Sequence, residues 1–474
     1  MAFNTYTFFI FFAIVLVLHY SPLSWQVKKV NLLISSYVFY AAWHPPFVIL
    51  LMICTFIDWF AARRVAVAES RGKRRFFLLI SLIVNLGMLG FFKYAGFLLD
   101  NFVWLLSLIH IQYHPLKLDI FLPLGISFFT FQSITYTFDI YRRKAEPWPS
   151  FLDFALFVSF FPKLVIGPIT RALDFLPQCE NQVKANAKLM SWGFFLLLMG
   201  LVEKVVIADN LLAPVADQLF NKSGIPNTIS AWTGSLAFTG QIFFDFAGYS
   251  TCAIGVALCL GFTLPQNFKY PYAAVGFSDF WRRWHISLSS WLRDYLYISL
   301  GGNKKGRIKT YVNLMLTMLL GGLWHGASWT FIAWGGLHGL FLIIERFLKN
   351  IMPESKLWST LPVQIFFAFV TFIAVSIAWV FFRADSFGQA FTIIKAMLTI
   401  KAGIPAISIE YFYILLTFGI TLIILVSHWI MRERSLQDIV EKIPWWLRSV
   451  VFAAMMIIIV TCSGDDRAFI YFQF

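Results

Sequence analysis

Between Tyr311 and Ile344 the chain runs for about thirty-four residues without an Asp, Glu, Lys or Arg. As one helix this stretch would reach roughly 50 Å, against a bilayer core of about 30 Å, so it is predicted to break. Gly321, Gly322, Gly326, Gly335, Gly336 and Gly339 supply break points and close helix contacts. Near its middle, in Leu323-Trp324-His325-Gly326, stands an ionisable imidazole. Polar side chains at membrane depth are costly and usually face a cavity, a partner or a substrate path, which makes His325 a functional candidate.

The rest of the chain has the same character. It is 474 residues long, 59% hydrophobic and 13% charged, with mean hydropathy +0.73. A soluble domain carries about 25% charged residues. The repeated apolar runs therefore predict an all-α polytopic membrane protein, a single integral membrane domain over residues 1–474. The formal net charge is +14. The basic residues cluster in short loops between apolar runs, where they set topology, so no nucleic-acid partner is expected. The five cysteines show no CxxC pair and no metal-ligand spacing, and most lie in apolar runs as expected free thiols. Met1 to Thr7 carries no Lys or Arg, so the run that follows is read as a first membrane helix and not a removed signal.

Alternation of basic loops gives about eleven passages. Arg63, Arg64, Arg71, Lys73, Arg74 and Arg75 mark one cytoplasmic loop, and Lys304, Lys305, Arg307 and Lys309 another. Both termini are then expected outside, including Gly464-Asp465-Asp466. Phe151 to Ile169 holds Pro162, Lys163, Gly167 and Pro168, which fits a re-entrant or broken helix buried in protein. Thr228 to Phe262 is also too long for one span, and Asp245 and Gly248 mark its expected break. No internal repeat is evident, which weighs against inverted-repeat transporter folds.

Before the uncharged stretch, Phe277, Trp281, Trp284, Leu288, Trp291 and Tyr295 recur at spacings of one helix face. The opposite side carries Asp279, Arg282, Arg283, Arg293 and Asp294. This pattern predicts a helix lying in the membrane interface, N-capped by Ser278. Arg282, Arg283 and Arg293 could also frame a cytoplasmic mouth for a phosphate-bearing ligand, because Arg forks match phosphate oxygens. His285 belongs to this helix and is read as structural.

His325 and His338 are thirteen residues apart, so on a straight helix they point roughly 220° apart. They share a face only if the chain breaks between them. A paired metal site at i, i+4 is excluded, and no third ligand cluster accompanies them. A lone neutral imidazole can take a proton from a hydroxyl, which acyl transfer from a thioester requires. It can equally be a satisfied histidine bonded to a carbonyl at a helix break.

The run Phe280-Trp281-Arg282-Arg283-Trp284-His285-Ile286-Ser287-Leu288-Ser289, followed by Trp291-Leu292-Arg293-Asp294-Tyr295-Leu296-Tyr297, Leu300-Gly301-Gly302-Asn303 and Gly321-Gly322-Leu323-Trp324-His325-Gly326, closely resembles the membrane-bound O-acyltransferase family. The subgroup it is similar to is the bacterial alginate O-acetyltransferase type. Leu122-Pro123-Leu124-Gly125, Phe244-Asp245-Phe246, Gly248-Tyr249-Ser250, Asn267-Phe268, Trp379 and Phe382-Arg383-Ala384 extend the resemblance over nearly the whole chain. It implies a ring of tilted helices around a central funnel, with the core motif region at 277–345. It also implies catalysis by His325, supported by Trp324, His338 or Asp294, with Arg282, Arg283 and Arg293 near the donor. The donor implied is cytoplasmic acetyl-CoA, with no permanently bound cofactor or metal. The expected partners are the lipid bilayer of a bacterial inner membrane, an extracytoplasmic acetyltransferase or esterase-like protein, and a polysaccharide acceptor. Thr251 stands where alginate-type members often carry Asp, so cellulose, peptidoglycan and other glycans stay open as acceptors. Two rival readings also stay open. One is a transporter of a small acid or lipid intermediate using Asp245, Glu203 and Lys204. The other is a scaffold for periplasmic partners.

Overall fold

The computed structural model describes residues 1–116, 120–351, 355–399, 406–462, 467, 469 and 470. Gly464-Asp465-Asp466, expected outside the membrane, lies outside the described residues. The described chain is helical, with loops and one isolated bridge between Pro226 and Ile407. Seven described helices are long and apolar enough to cross a membrane: Pro46–Val67, Arg71–Leu108, Ala187–Phe220, Thr228–Cys259, Trp329–Ile351, Leu361–Arg383 and Tyr411–Met431. The pair Leu436–Lys442 and Trp445–Thr461, bent by 119°, makes an eighth if counted as one span.

The chain packs as two compact units. The first comprises Met1–Leu197 with Tyr249–Pro265, and the second Leu198–Gly248 with Gln266–Phe474. In the first unit the proline-bearing segment is a broken helix, as expected. Phe151–Ser159 ends at Phe160, and a single turn follows over Phe161–Leu164. Its polar groups find partners inside protein: the Lys163 ammonium donates to Gln132 Oε1, and Lys29 pairs with Asp153 at 2.5 Å.

Two expectations about the later helices are corrected. Thr228–Cys259 does not break at Asp245 or Gly248; it is one helix of 32 residues whose apolar window is 83% buried. Asp245 needs no break because the Lys204 ammonium meets its carboxylate. Gly248 serves close approach instead: a Cβ there would lie 2.6 Å from the Gly200 carbonyl oxygen. The second correction concerns the aromatic helix before the uncharged stretch. It is two short helices, Phe277–Arg283 and Ile286–Trp291, joined at Trp284 and His285. Of the predicted face, Trp284 and Leu288 are buried and Phe277, Trp281, Trp291 and Tyr295 are half-buried, so it packs in large part against protein and is not a continuous lipid anchor. A period of 3.6 is the same for a face turned to lipid and a face turned to core, which is why spacing alone misread it.

The uncharged stretch does break. Arg307–His325 ends at the histidine, and Trp329–Ile351 returns as the second arm of a hairpin. The arms touch through glycine: a Cβ on Gly322 would lie 2.2 Å from the Phe331 carbonyl oxygen and 3.1 Å from the Gly335 Cα. Asn313 Nδ2 donates to the Gly302 carbonyl at 2.9 Å and ties the basic loop to the first arm.

Candidate active site

The last residue of the Arg307–His325 helix, His325, stands at the break of the hairpin. His325 is 3% exposed and walled by aromatic rings. Ring centroids lie 5.0 Å away at Trp324, 5.0 Å at Trp334 and 5.4 Å at Phe382. Gly326 is extended at φ −160°, so its lack of a side chain matters for space: a Cβ would sit 2.2 Å from the Phe331 ring.

His285, read from sequence as structural, stands inside the same box. Its ring centroid is 6.5 Å from that of His325 and 5.9 Å from that of Trp324. The break between the two short helices puts it there, with His285 at φ 42° and ψ 55°, a left-handed conformation rare for a non-glycine residue. Such strain persists only where surrounding structure imposes it. Here Ile286 N–H donates to the Asn267 carbonyl at 2.8 Å, and His285 Nδ1 lies 3.1 Å from Asn267 Oδ1. The Ser287 N–H and hydroxyl also donate to that oxygen, at 3.2 and 2.9 Å. An atom receiving a backbone N–H is the amide oxygen, so His285 carries its proton on Nδ1 and its lone pair on Nε2. The sequence held one signal of this, Asn267-Phe268 among the matches that extend the family resemblance, but nothing in it linked Asn267 to His285.

The other sequence-predicted residues separate. His338 is fully buried, and Trp334 lies between it and His325, with centroid distances of 4.8 and 5.0 Å. Neither ring nitrogen of His338 has a hydrogen-bond partner among the described residues. Arg283 is buried and braced: it pairs with Asp279 at 2.9 Å and Glu433 at 2.7 Å, and donates to the Arg432 carbonyl at 3.0 Å. Glu433 lies beyond the end of the Tyr411–Met431 helix, and the Arg283 hydrogen bond holds its carboxyl below the usual carboxylate range. Arg282 is exposed, and Arg293 is exposed and pairs with its neighbour Asp294 at 2.7 Å. Ser278 does not cap its helix by its side chain. The helix starts after Gly276, and the Ser278 N–H donates to the distant Glu345 carboxylate at 2.8 Å.

Glu203, Lys204 and Asp245 do not join the histidines in one set of contacts. Lys204 pairs with Asp209 at 2.9 Å and with Asp245. Among the described residues no group of three or more His, Cys, Asp or Glu is arranged to hold a metal ion.

A helical membrane protein with a buried histidine pair at a helix break is a class suited to proton transfer away from bulk water. The profile described as MBOAT, membrane-bound O-acyltransferase family, matches residues 101–382. A probable alginate O-acetylase of Azotobacter vinelandii is 42% identical over 401 residues, 84% of this chain and 78% of that protein. A peptidoglycan O-acetyltransferase of Helicobacter pylori is 40% identical over 397 residues, covering 78% and 73%. A teichoic acid D-alanyltransferase of Streptococcus thermophilus is 30% identical over 318 residues, covering 60% and 75%. The chain belongs to the membrane-bound O-acyltransferase family and is an O-acyltransferase.

Proposed function

We propose that this protein moves an acetyl group from cytoplasmic acetyl-CoA to a hydroxyl of an extracytoplasmic polysaccharide of the alginate type, by way of an extracytoplasmic partner protein. The observation that carries the reading is the pair of imidazoles in one aromatic box at the hairpin tip. His325 takes the proton of the acceptor hydroxyl as its oxygen attacks the acetyl carbonyl carbon. The carbon–sulfur bond then breaks, and the imidazolium returns its proton to the leaving thiolate. No protein nucleophile and no net proton are needed. His285, held by Asn267, presents Nε2 on the same side and orients the acceptor. His338, Trp324 and Trp334 exclude water around the reacting groups.

The donor approaches the exposed cations. Arg282, Arg293 and the exposed basic stretch from Lys304 to Lys309, which leads into the Arg307–His325 helix, offer forks and charges for the phosphates of CoA, while Arg283 braces the segment that carries Arg282. Positive loops lie inside, so this face is cytoplasmic and the hairpin tip is nearer the opposite side. The protein sits in a bacterial inner membrane with both termini periplasmic. Reaching about eleven passages requires shorter helices, such as Tyr6–Tyr20 and Trp25–Ala41, to cross a thin region around a central funnel. The two compact units then serve one acyltransferase domain.

His325→Ala tests the reading. Acetylation of the polymer and acceptor-dependent release of CoA thiol should fall by a factor of about 10²–10⁴, while membrane insertion is kept. Unchanged acetylation in a well-inserted variant would overturn it.

A further inference from the structure

The short helix Phe277–Arg283 delivers His285 to the aromatic box, and the returning arm Trp329–Ile351 is the surface it follows. The two run antiparallel, ring against ring. Phe277 stacks on Phe341 at 4.6 Å and Phe280 on His338 at 5.9 Å. Trp281 then meets His338 at 5.1 Å and Trp334 at 5.9 Å. Past the buried Trp284 comes His285, whose ring lies 6.5 Å from that of His325. Rings hold two helices together but set their register loosely, because offset and edge contacts stay favourable over centroid distances of about 4.5–7 Å. A slip of one residue would carry His285 about 1.5 Å along the helix axis and turn it by about 100°. The register therefore needs a directional contact.

Glu345 supplies one at the far end of the short helix. Its Oε2 accepts the Ser278 N–H at 2.8 Å. Its Oε1 accepts from the Lys349 ammonium, one turn along the same arm, which keeps the carboxylate aimed. The Glu345 side chain is only 10% exposed. The approach to the helix is shaped around that carboxylate. Gly276 stands at φ 91°, and a Cβ there would lie 3.2 Å from the Glu345 carboxyl carbon. The Gly276 N–H donates to Thr371 Oγ1 at 3.0 Å, which holds the turn from its other side. At the opposite end of the helix, the Lys269 N–H donates to the Arg283 carbonyl at 2.9 Å, beside the bonds from Asn267 that hold His285. The helix is thus pinned to the hairpin at its start and clamped at the turn where it ends.

We propose that Glu345 is a positioning residue for acyl transfer: its carboxylate sets the register of the Phe277–Arg283 helix on the hairpin, and with it the place of His285 beside His325. It acts through the helix and not on the reacting groups. The inference rests on the role given to His285 in the proposed acetyl transfer.

The test is a double-mutant cycle on the full-length protein in its native cells, with polymer acetylation measured at equal membrane level. Glu345→Ala should lower the rate about tenfold, the scale of loss that a small misplacement brings. Glu345→Gln, whose amide oxygen still accepts the Ser278 N–H, should keep most of the rate. His285→Ala should lower the rate about tenfold or more, and adding Glu345→Ala to it should cost less than about twofold further. Independent effects would instead multiply to about a hundredfold. If Glu345→Ala fails to insert, Glu345→Asp carries the same cycle, since it keeps the charge but is one methylene short of the Ser278 N–H. A full further loss in the double variant, equal losses in the Ala and Gln variants, or a wild-type rate in Glu345→Ala would each overturn the assignment. Failure of the broader acetyl-transfer reading would show elsewhere, as unchanged acetylation after loss of His325 alone.

Discussion

Residues 228–262 and 311–344 are stretches of nearly equal length, each longer than one plain passage and each with a polar side chain near its middle. The first forms one helix over Thr228–Cys259, while the second folds into a hairpin whose turn begins at His325. The difference lies in where each polar group finds its partner. Asp245 meets Lys204 and the Ile470 N–H without leaving its helix, so the backbone has no reason to open. His325 stands at a helix end among aromatic rings, and the break frees its ring to face them. Glycine works on both sides of the comparison, but only at Gly326 does it coincide with a break. At Gly248 and Gly322 it lets two backbones touch.

The comparison can be broken by substitution. The largest effect should come from Asp245→Ala, which leaves Lys204 buried with one carboxylate and orphans the Ile470 N–H. A loss of about 3 kcal/mol is expected in detergent unfolding of the purified protein. A loss near zero would mean that the long helix stays whole without its ion pair. Gly322→Ala should come next. Its methyl would meet the rigid Phe331 carbonyl, which costs about 1–3 kcal/mol and shifts the hairpin tip, so acetyl transfer should fall with stability. Gly326→Ala should cost somewhat less than Gly322→Ala, about 1–2 kcal/mol, because its methyl meets the buried Phe331 ring, a side chain that can shift, and not a backbone carbonyl. That ring packs at 4.7 Å from Phe382, a wall of the His325 box, so the substitution should still lower kcat. A Gly326→Ala protein with normal kcat would separate the break from the chemistry.

Much of this was legible in the residues. The charge-free stretch foretold its own break, and Pro162 with Gly167 foretold the broken segment before it. His325 stood out by its cost at depth. What periodicity could not supply was the identity of the surface a helix face meets. Trp284 and Leu288 on the aromatic face meet protein, and the same spacing would describe a face on lipid. Long-range partners were equally hidden. Asn267 lies eighteen residues from His285, and Glu345 reaches Ser278 from sixty-seven residues away. The left-handed turn at His285 depends on those bonds, so the second imidazole could not be moved from the helix to the box by spacing alone. Lys204 and Asp245 looked like coupling charges because nothing local showed that they pair with each other.

The glycine contact between the hairpin arms also bears on where a substrate can travel. With Gly322 and Gly335 backbone to backbone, and the Met318 carbonyl oxygen 2.2 Å from where a Gly335 Cβ would be, the seam has no width for a hydrocarbon chain. A long fatty acyl tail could not slip between these helices into the membrane as its thioester reaches His325. This wall is closed to lipid, so a two-carbon acyl group, which leaves no tail to house, suits it without any side door.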